Sequence, residues 1–264
     1  MSDVAQDREA AIRIGGLLCG HNSTKGVAKI ALDQLASSID RFGVRAVRFL
    51  SERASEEMLS FGPFCARVLL ENSCAAIVGR LDSFRMLYLS EFHAQPEYDH
   101  GKRAKSAFAW TGDVLPEDKA AAEKATSPMW SLDYDLPKIS RALFSRYFDH
   151  IYWKPAVEGL QDFLSSQPAD PLFAELLAIE ADKYISQCKG RGAQIYSTLS
   201  KGVHWEFFTS AIIFDEVTVK THLRDTCVLV GQLGLVSHFI PTAYASLEYR
   251  EALDSYLVFR RSLS

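Results

Sequence analysis

The stretch Tyr196-Ser197-Thr198-Leu199-Ser200-Lys201-Gly202-Val203-His204-Trp205-Glu206 puts hydroxyls, an ammonium, an imidazole and a carboxylate beside a glycine. An imidazole titrates near neutral pH, so His204 is a candidate general base, or a contact for a phosphate or a nucleic-acid base. Glu206 would complete such a site, and Tyr196, Ser200, Lys201 and Trp205 are its binding candidates. The competing reading is structural: a helix end with Gly202 as its C-cap and His204 bonded to a backbone carbonyl. A second group is Arg146 and His150, four apart and able to meet on one face of a helix expected over 138–152. Tyr147, Phe148 and Trp153 could stack a base there, or simply pack around a buried arginine. A third group lies on a helix expected from Gly62-Pro63 to about His93. Glu71, Asp82 and His93 are spaced by eleven residues, which puts them within about 20° of one line per step. Arg67 and Arg85 fall on a flank of that stripe, while Leu69, Ile77, Phe84, Leu87 and Tyr88 take the opposite side. The stripe suits an anion site or an acid–base cluster, and equally the solvent face of an amphipathic helix. Finally, Lys102, Arg103 and Lys105 form a short basic run that could touch phosphates from a lid or recognition loop.

The elements that must position these groups read as helical almost throughout. Helix-type spacing covers 5–18 and 26–42, with Asn22 or Ser23 as the cap of the second. Gly43 is expected to break the chain before a helix over 44–59. Between Ala94 and Pro137 four prolines interrupt the pattern, and Phe108, Trp110, Trp130 and Tyr134 argue that this segment packs back onto the body. Further helices are expected at 155–166, 171–189 (capped by Asp170 and ended by Gly190), from about 193, at 221–239 and from Pro241 to about Arg261. Ile212–Phe214 and Val217–Val219 could form a small hairpin. The expectation is therefore an all-α, large multi-helix bundle over 1–264, with possible halves 1–93 and 138–264.

Composition bounds the function. The chain has 264 residues, 48% apolar and 23% charged, with a net charge of −4, so no global positive field draws it to nucleic acid. The N-terminus lacks a secretory pattern, and the longest apolar stretch, Thr226–Ile240, is short of the about twenty residues a bilayer needs. A cytoplasmic location and no membrane partner are expected. Five scattered cysteines without a C-x-x-C pair argue against a disulfide framework. No metal or other cofactor is expected, since Cys19-Gly20-His21 is the one close Cys/His pair. The phosphate-loop, dinucleotide, nucleophile-elbow and zinc-protease patterns are all absent, which weighs against those enzyme classes.

Tyr196-x-x-Leu199-Ser200-x-x-Val203-His204, following several helices, resembles a segment of bacterial HEPN-type helical proteins. The resemblance covers about the last 120 residues. It implies a helical bundle, often dimeric, of host-defence or toxin–antitoxin modules, with RNA as substrate or ligand. Catalytic members carry an Arg followed by four to six residues and a His. Here three residues separate Arg146 from His150 and seven separate Arg85 from His93, so the pattern is not matched. A non-catalytic interaction or binding module is therefore the expectation, with a protein partner or a second copy of the chain, and RNA as a further candidate. The alternative is a divergent metal-independent ribonuclease or nucleotide-acting enzyme centred on His204.

Overall fold

The computed structural model describes residues 14–21, 26–97, 108–117, 129, 139–203 and 215–264. These residues form an all-α multi-helix fold, as expected. The principal helices are α1 (Ile14–Cys19), α2 (Val27–Ser51), α3 (Glu56–Leu81), α4 (Ser83–His93), α5 (Lys154–Ser165), α6 (Phe173–Leu177), α7 (Tyr184–Val203), α8 (Glu216–Ser237) and α9 (Tyr249–Ser262). A single turn, Arg146–Phe148, runs into a wide turn over Asp149–Trp153 ahead of α5.

Helix α3 is the axis of the molecule. The Ser55 hydroxyl accepts from the Met58 N–H, and Glu56 and Glu57 complement the positive end of the helix dipole. It is the one helix among the described residues long and apolar enough to cross a bilayer, but 61% of its apolar window is buried within the protein. It packs chiefly against α8 and α2, with α7 alongside. Buried residues from Ile14 to Leu263 join in one apolar cluster that draws on both halves of the chain.

One charged group is sealed in this core. Arg80, in the last turn of α3, is buried, and all three of its guanidinium nitrogens donate hydrogen bonds. They reach Ala245 O at 2.6 Å, Ser237 Oγ at 2.6 Å, His238 Nδ1 at 3.1 Å and Leu18 O at 3.3 Å, with longer contacts to Ser237 O and Ser246 Oγ. Leu18 and Ser237 belong to the C-terminal turns of α1 and α8, where unpaired carbonyls and the helix dipole favour a cation. Among the described residues no carboxylate pairs with Arg80. Burial lowers its pKa to about 10, which still leaves it charged at neutral pH. His238 completes the hub as a neutral ring: Nδ1 accepts from Leu247 N at 3.0 Å, so Nε2–H donates to Leu17 O at 2.7 Å.

Several local expectations are corrected. Gly43 does not break the chain; α2 runs through it, because Gly43 is buried where a side chain would stand 2.8 Å from Ile14 Cγ2. The residue before α2 is Gly26, with no side-chain cap, while Asn22 and Ser23 lie outside the described residues. The long helix begins at Glu56 rather than Pro63 and ends at Leu81. Asp82 leaves helical geometry (φ −135°, ψ 77°), and its carboxylate accepts from Arg85 N to start α4. The stripe from Arg67 to His93 is therefore divided between two helices. Phe84 and Tyr88, placed on the apolar side opposite the stripe, are 70% and 50% exposed, and Leu87 is exposed with them.

The helix expected over 171–189 is split as well. Gln161 Nε2 donates to Leu177 O at 3.2 Å and Ile179 O at 2.8 Å, capping α6 early. Helix α7 then continues past Gly190, because Tyr184, Cys188, Ile195 and Leu199 bury one stripe across it. That burial outweighs the helix penalty of about 1 kcal/mol for a glycine. The second strand of the expected hairpin is helical instead: Asp215 accepts from Thr218 N at 2.8 Å and opens α8, so Val217–Val219 lie in its first turn. Ile212–Phe214 lie outside the described residues.

Candidate functional site

A cavity of about 750 Å³ opens between α2, α3 and α4, with α7 and the segment 108–111 as its remaining walls. Helix α2 turns Gln34, Leu35 and Ser38 toward it, Ser38 standing one turn beyond the adjacent pair and so on the same face. Helix α3 contributes Glu71, Asn72 and Ala75, and α4 contributes Met86, Leu89 and Ser90. The short interruption at Asp82 makes this possible, since it redirects α4 so that Met86 and Leu89 face inward.

Phe108, Trp110 and Thr111 bring the fourth wall. Their strap is a wide turn in which Leu115 N donates to Trp110 O at 2.9 Å, with Gly112 at φ 106°, a conformation that favours glycine. Asp113 fastens it. Its Oδ2 accepts from Arg85 Nη2 of α4 at 2.8 Å and from Ala109 N at 2.7 Å. Two further bonds, Leu143 N to Asp113 O and Phe144 N to Val114 O, tie the strap to the segment before α5.

Tyr196 of α7 is the fifth wall, and it gathers aromatic and charged neighbours. Its ring stacks on Trp110 with centroids 4.5 Å apart and planes 2° from parallel. The Arg67 guanidinium lies 4.8 Å from the same ring, donates to the Tyr196 hydroxyl at 3.1 Å and pairs through Nε with Glu71 Oε1 at 3.2 Å. Asn72 Nδ2 donates to Ser38 Oγ at 2.9 Å, which orients the carboxamide in the wall. The Trp110 indole N–H and Arg85 Nε are buried with no hydrogen-bond partner among the described residues. Each such donor costs about 1–3 kcal/mol, so the strap is held at some expense by the ties around it.

Of the residues singled out in the sequence, Tyr196 and Glu71 meet at this cavity, and Arg85 stands behind its strap. The others disperse. Ser200 Oγ donates to the Tyr196 carbonyl inside α7, and Lys201 is exposed. Asp82 caps α4 and lies 3.9 Å from Arg141, and His93 closes α4. Arg146 and His150 occupy the turns over 146–153, whose Asp149 carboxylate adds a little to the upward push that burial gives the Cys188 thiol. Cys188 is eight residues before Tyr196 on α7, about 12 Å along the axis. Lys102, Arg103, Lys105, His204, Trp205 and Glu206 lie outside the described residues, and with them the proposed base. Gln34, Ser38, Asn72 and Asp113 carry no signal in residue spacing; Trp110 is legible only as an aromatic that must pack.

Chemically, the lining offers one carboxylate, two carboxamides, hydroxyls, a thioether and three aromatic rings. Among the described lining residues no imidazole, thiol or ammonium stands beside a hydroxyl. The cysteines are all buried elsewhere, and burial raises Cys19, Cys65 and Cys188 to about 12, far from the thiolate form. Comparison of the chain with protein-family models, curated proteins and solved structures gives no match in any of the three.

Proposed function

We propose that this protein is a non-catalytic helical binding module whose cavity holds a small organic ligand. One observation carries the reading: a cavity of about 750 Å³ with aromatic, thioether and amide walls, beside a strap in which Trp110 is buried with its indole N–H unpartnered among the described residues. Ligand sites are typically concave, mostly apolar and supplied with a few placed polar groups, over about 300–1,000 Å³. Glu71, Asn72 and Gln34 are such groups, and they come from two rigid helices rather than loops. The test is a thermal-shift comparison of the wild type and Ala75→Phe, which projects a ring into the cavity from α3, each mixed with a small-molecule extract of the native host. The wild type gains several degrees and the variant gains none. Equal shifts in both proteins would count against the cavity as the site.

A second reading, a module that holds a protein, is favoured by a row of rings on α4 that is exposed at Phe84 and Tyr88. Phe84, Tyr88 and Phe92 follow one another with centroids 6.4 Å apart. Sedimentation velocity of the wild type and of Phe84→Ser/Tyr88→Ser, alone and with host lysate, tests it. A complex lost in the variant supports this reading, and identical profiles oppose it.

A further inference from the structure

We infer that the ligand of this cavity is a planar nitrogen heterocycle bearing an exocyclic amino group and no phosphate. The inference rests on the reading of the cavity as a binding site and names what that site would take.

The polar groups set the edge chemistry. Glu71 is the one carboxylate among the described lining residues, and Arg67 engages its Oε1. Oε2 is left as an acceptor, which calls for a donor on the ligand. Asn72 spends one N–H on Ser38, so its remaining N–H and its carbonyl oxygen are available as a donor–acceptor pair. Gln34, one helix away on α2, offers a second carboxamide. A carboxylate that accepts from an amino group, with carboxamides that pair in two places, is the donor–acceptor pattern suited to an aminated heterocycle. The Phe108 ring and the Met86 thioether offer the body of such a ligand stacking and polarisable contact, backed by Trp110, which is itself buried and stacked on Tyr196.

Charge sets the exclusion. No lysine, arginine or histidine is among the described lining residues, and Arg67 is committed to Glu71 and Tyr196. A phosphate entering the cavity would meet the Glu71 carboxylate, with no cation among the described lining residues to offset it. A neutral or singly protonated amine meets that carboxylate favourably.

Isothermal titration calorimetry of the full chain with adenosine, cytidine, inosine, uridine and adenosine 5′-monophosphate tests the inference. Adenosine or cytidine binds, and its counterpart with oxygen in place of the amino group binds at least about tenfold more weakly, the loss expected for a hydrogen bond to a charged group. The monophosphate binds more weakly than adenosine. Glu71→Gln removes the preference for the amino ligand, and Gln34→Ala, on a solvent-facing residue, weakens binding without moving the melting temperature. Equal binding of amino and oxo partners, tighter binding of the monophosphate, or no binding by any of the five while Ala75→Phe still abolishes the shift given by host extract overturns the ligand class and leaves the cavity standing. If Ala75→Phe changes neither, the cavity reading falls as well.

Discussion

Arg80 shows at the scale of one residue how a buried charge is accommodated with no carboxylate partner among the described residues. Its donors close the C-terminal turns of α1 and α8 and hold the 244–246 loop, so one side chain satisfies carbonyls that helix ends otherwise leave open. Replacing it with methionine keeps most of the volume and strands those acceptors. Arg80→Met should lower unfolding stability by about 3–5 kcal/mol in urea titrations, and a loss below about 1 kcal/mol would show that the hub is dispensable. Asp149 is the opposite case, a half-buried carboxylate whose Oδ1 has no partner among the described residues. Burial, with Asp182 nearby, raises its pKa from 3.8 to about 6. A folded pKa above the unfolded one favours folding below pH 3.8, and that benefit is lost as pH rises through about 6. Asp149→Asn should therefore stabilise the protein at pH 8 by about 1 kcal/mol, allowing for the half-exposed carboxyl, and give a smaller gain at pH 4. A gain independent of pH would contradict this. Arg80 stands out in the sequence as the one charge within the apolar run Cys74–Leu81. The destination of its donors is not written locally, because Leu18, Ser237 and Ala245 are far away along the chain.

Two features at the scale of elements build the site: the break at Asp82 and the strap over 108–117. The strap is fixed by a single carboxylate that serves a guanidinium and a backbone N–H together. Asp113→Ala should speed hydrogen exchange of the Ala109 amide markedly while leaving the core amides of α3 protected, and should cost about 1–3 kcal/mol. Unchanged exchange at Ala109 would mean that the strap is held by its bonds to Leu143 and Phe144 alone. Element type was readable from helical periodicity, and α5 falls within a residue of its expected bounds. Boundaries were less so. Gly43 and Gly190 look like helix ends, yet tertiary burial carries α2 and α7 through both. Asp82 has no glycine or proline beside it to announce a break, and only the capping bond to Arg85 N reveals one.

For the whole molecule, the all-α class and the large apolar core follow from composition and spacing, because both are averages over many residues. The cavity is another matter. Its walls come from 31–38, 71–75, 86–90, 108–111 and Tyr196, and no local pattern predicts that these converge. Only Tyr196 and Glu71 were singled out by residue type, each within a different group. Their meeting across Arg67 is a product of packing α7 against α3. The central claim is that this packing creates a site for a small ligand, and native mass spectrometry of the protein purified from its own host tests it most directly. The account predicts a wild-type chain carrying a mass increment of small-molecule size, and an Ala75→Phe chain with the same helical circular-dichroism spectrum without it. Wild type and variant both bare, or both carrying the same increment, would contradict it.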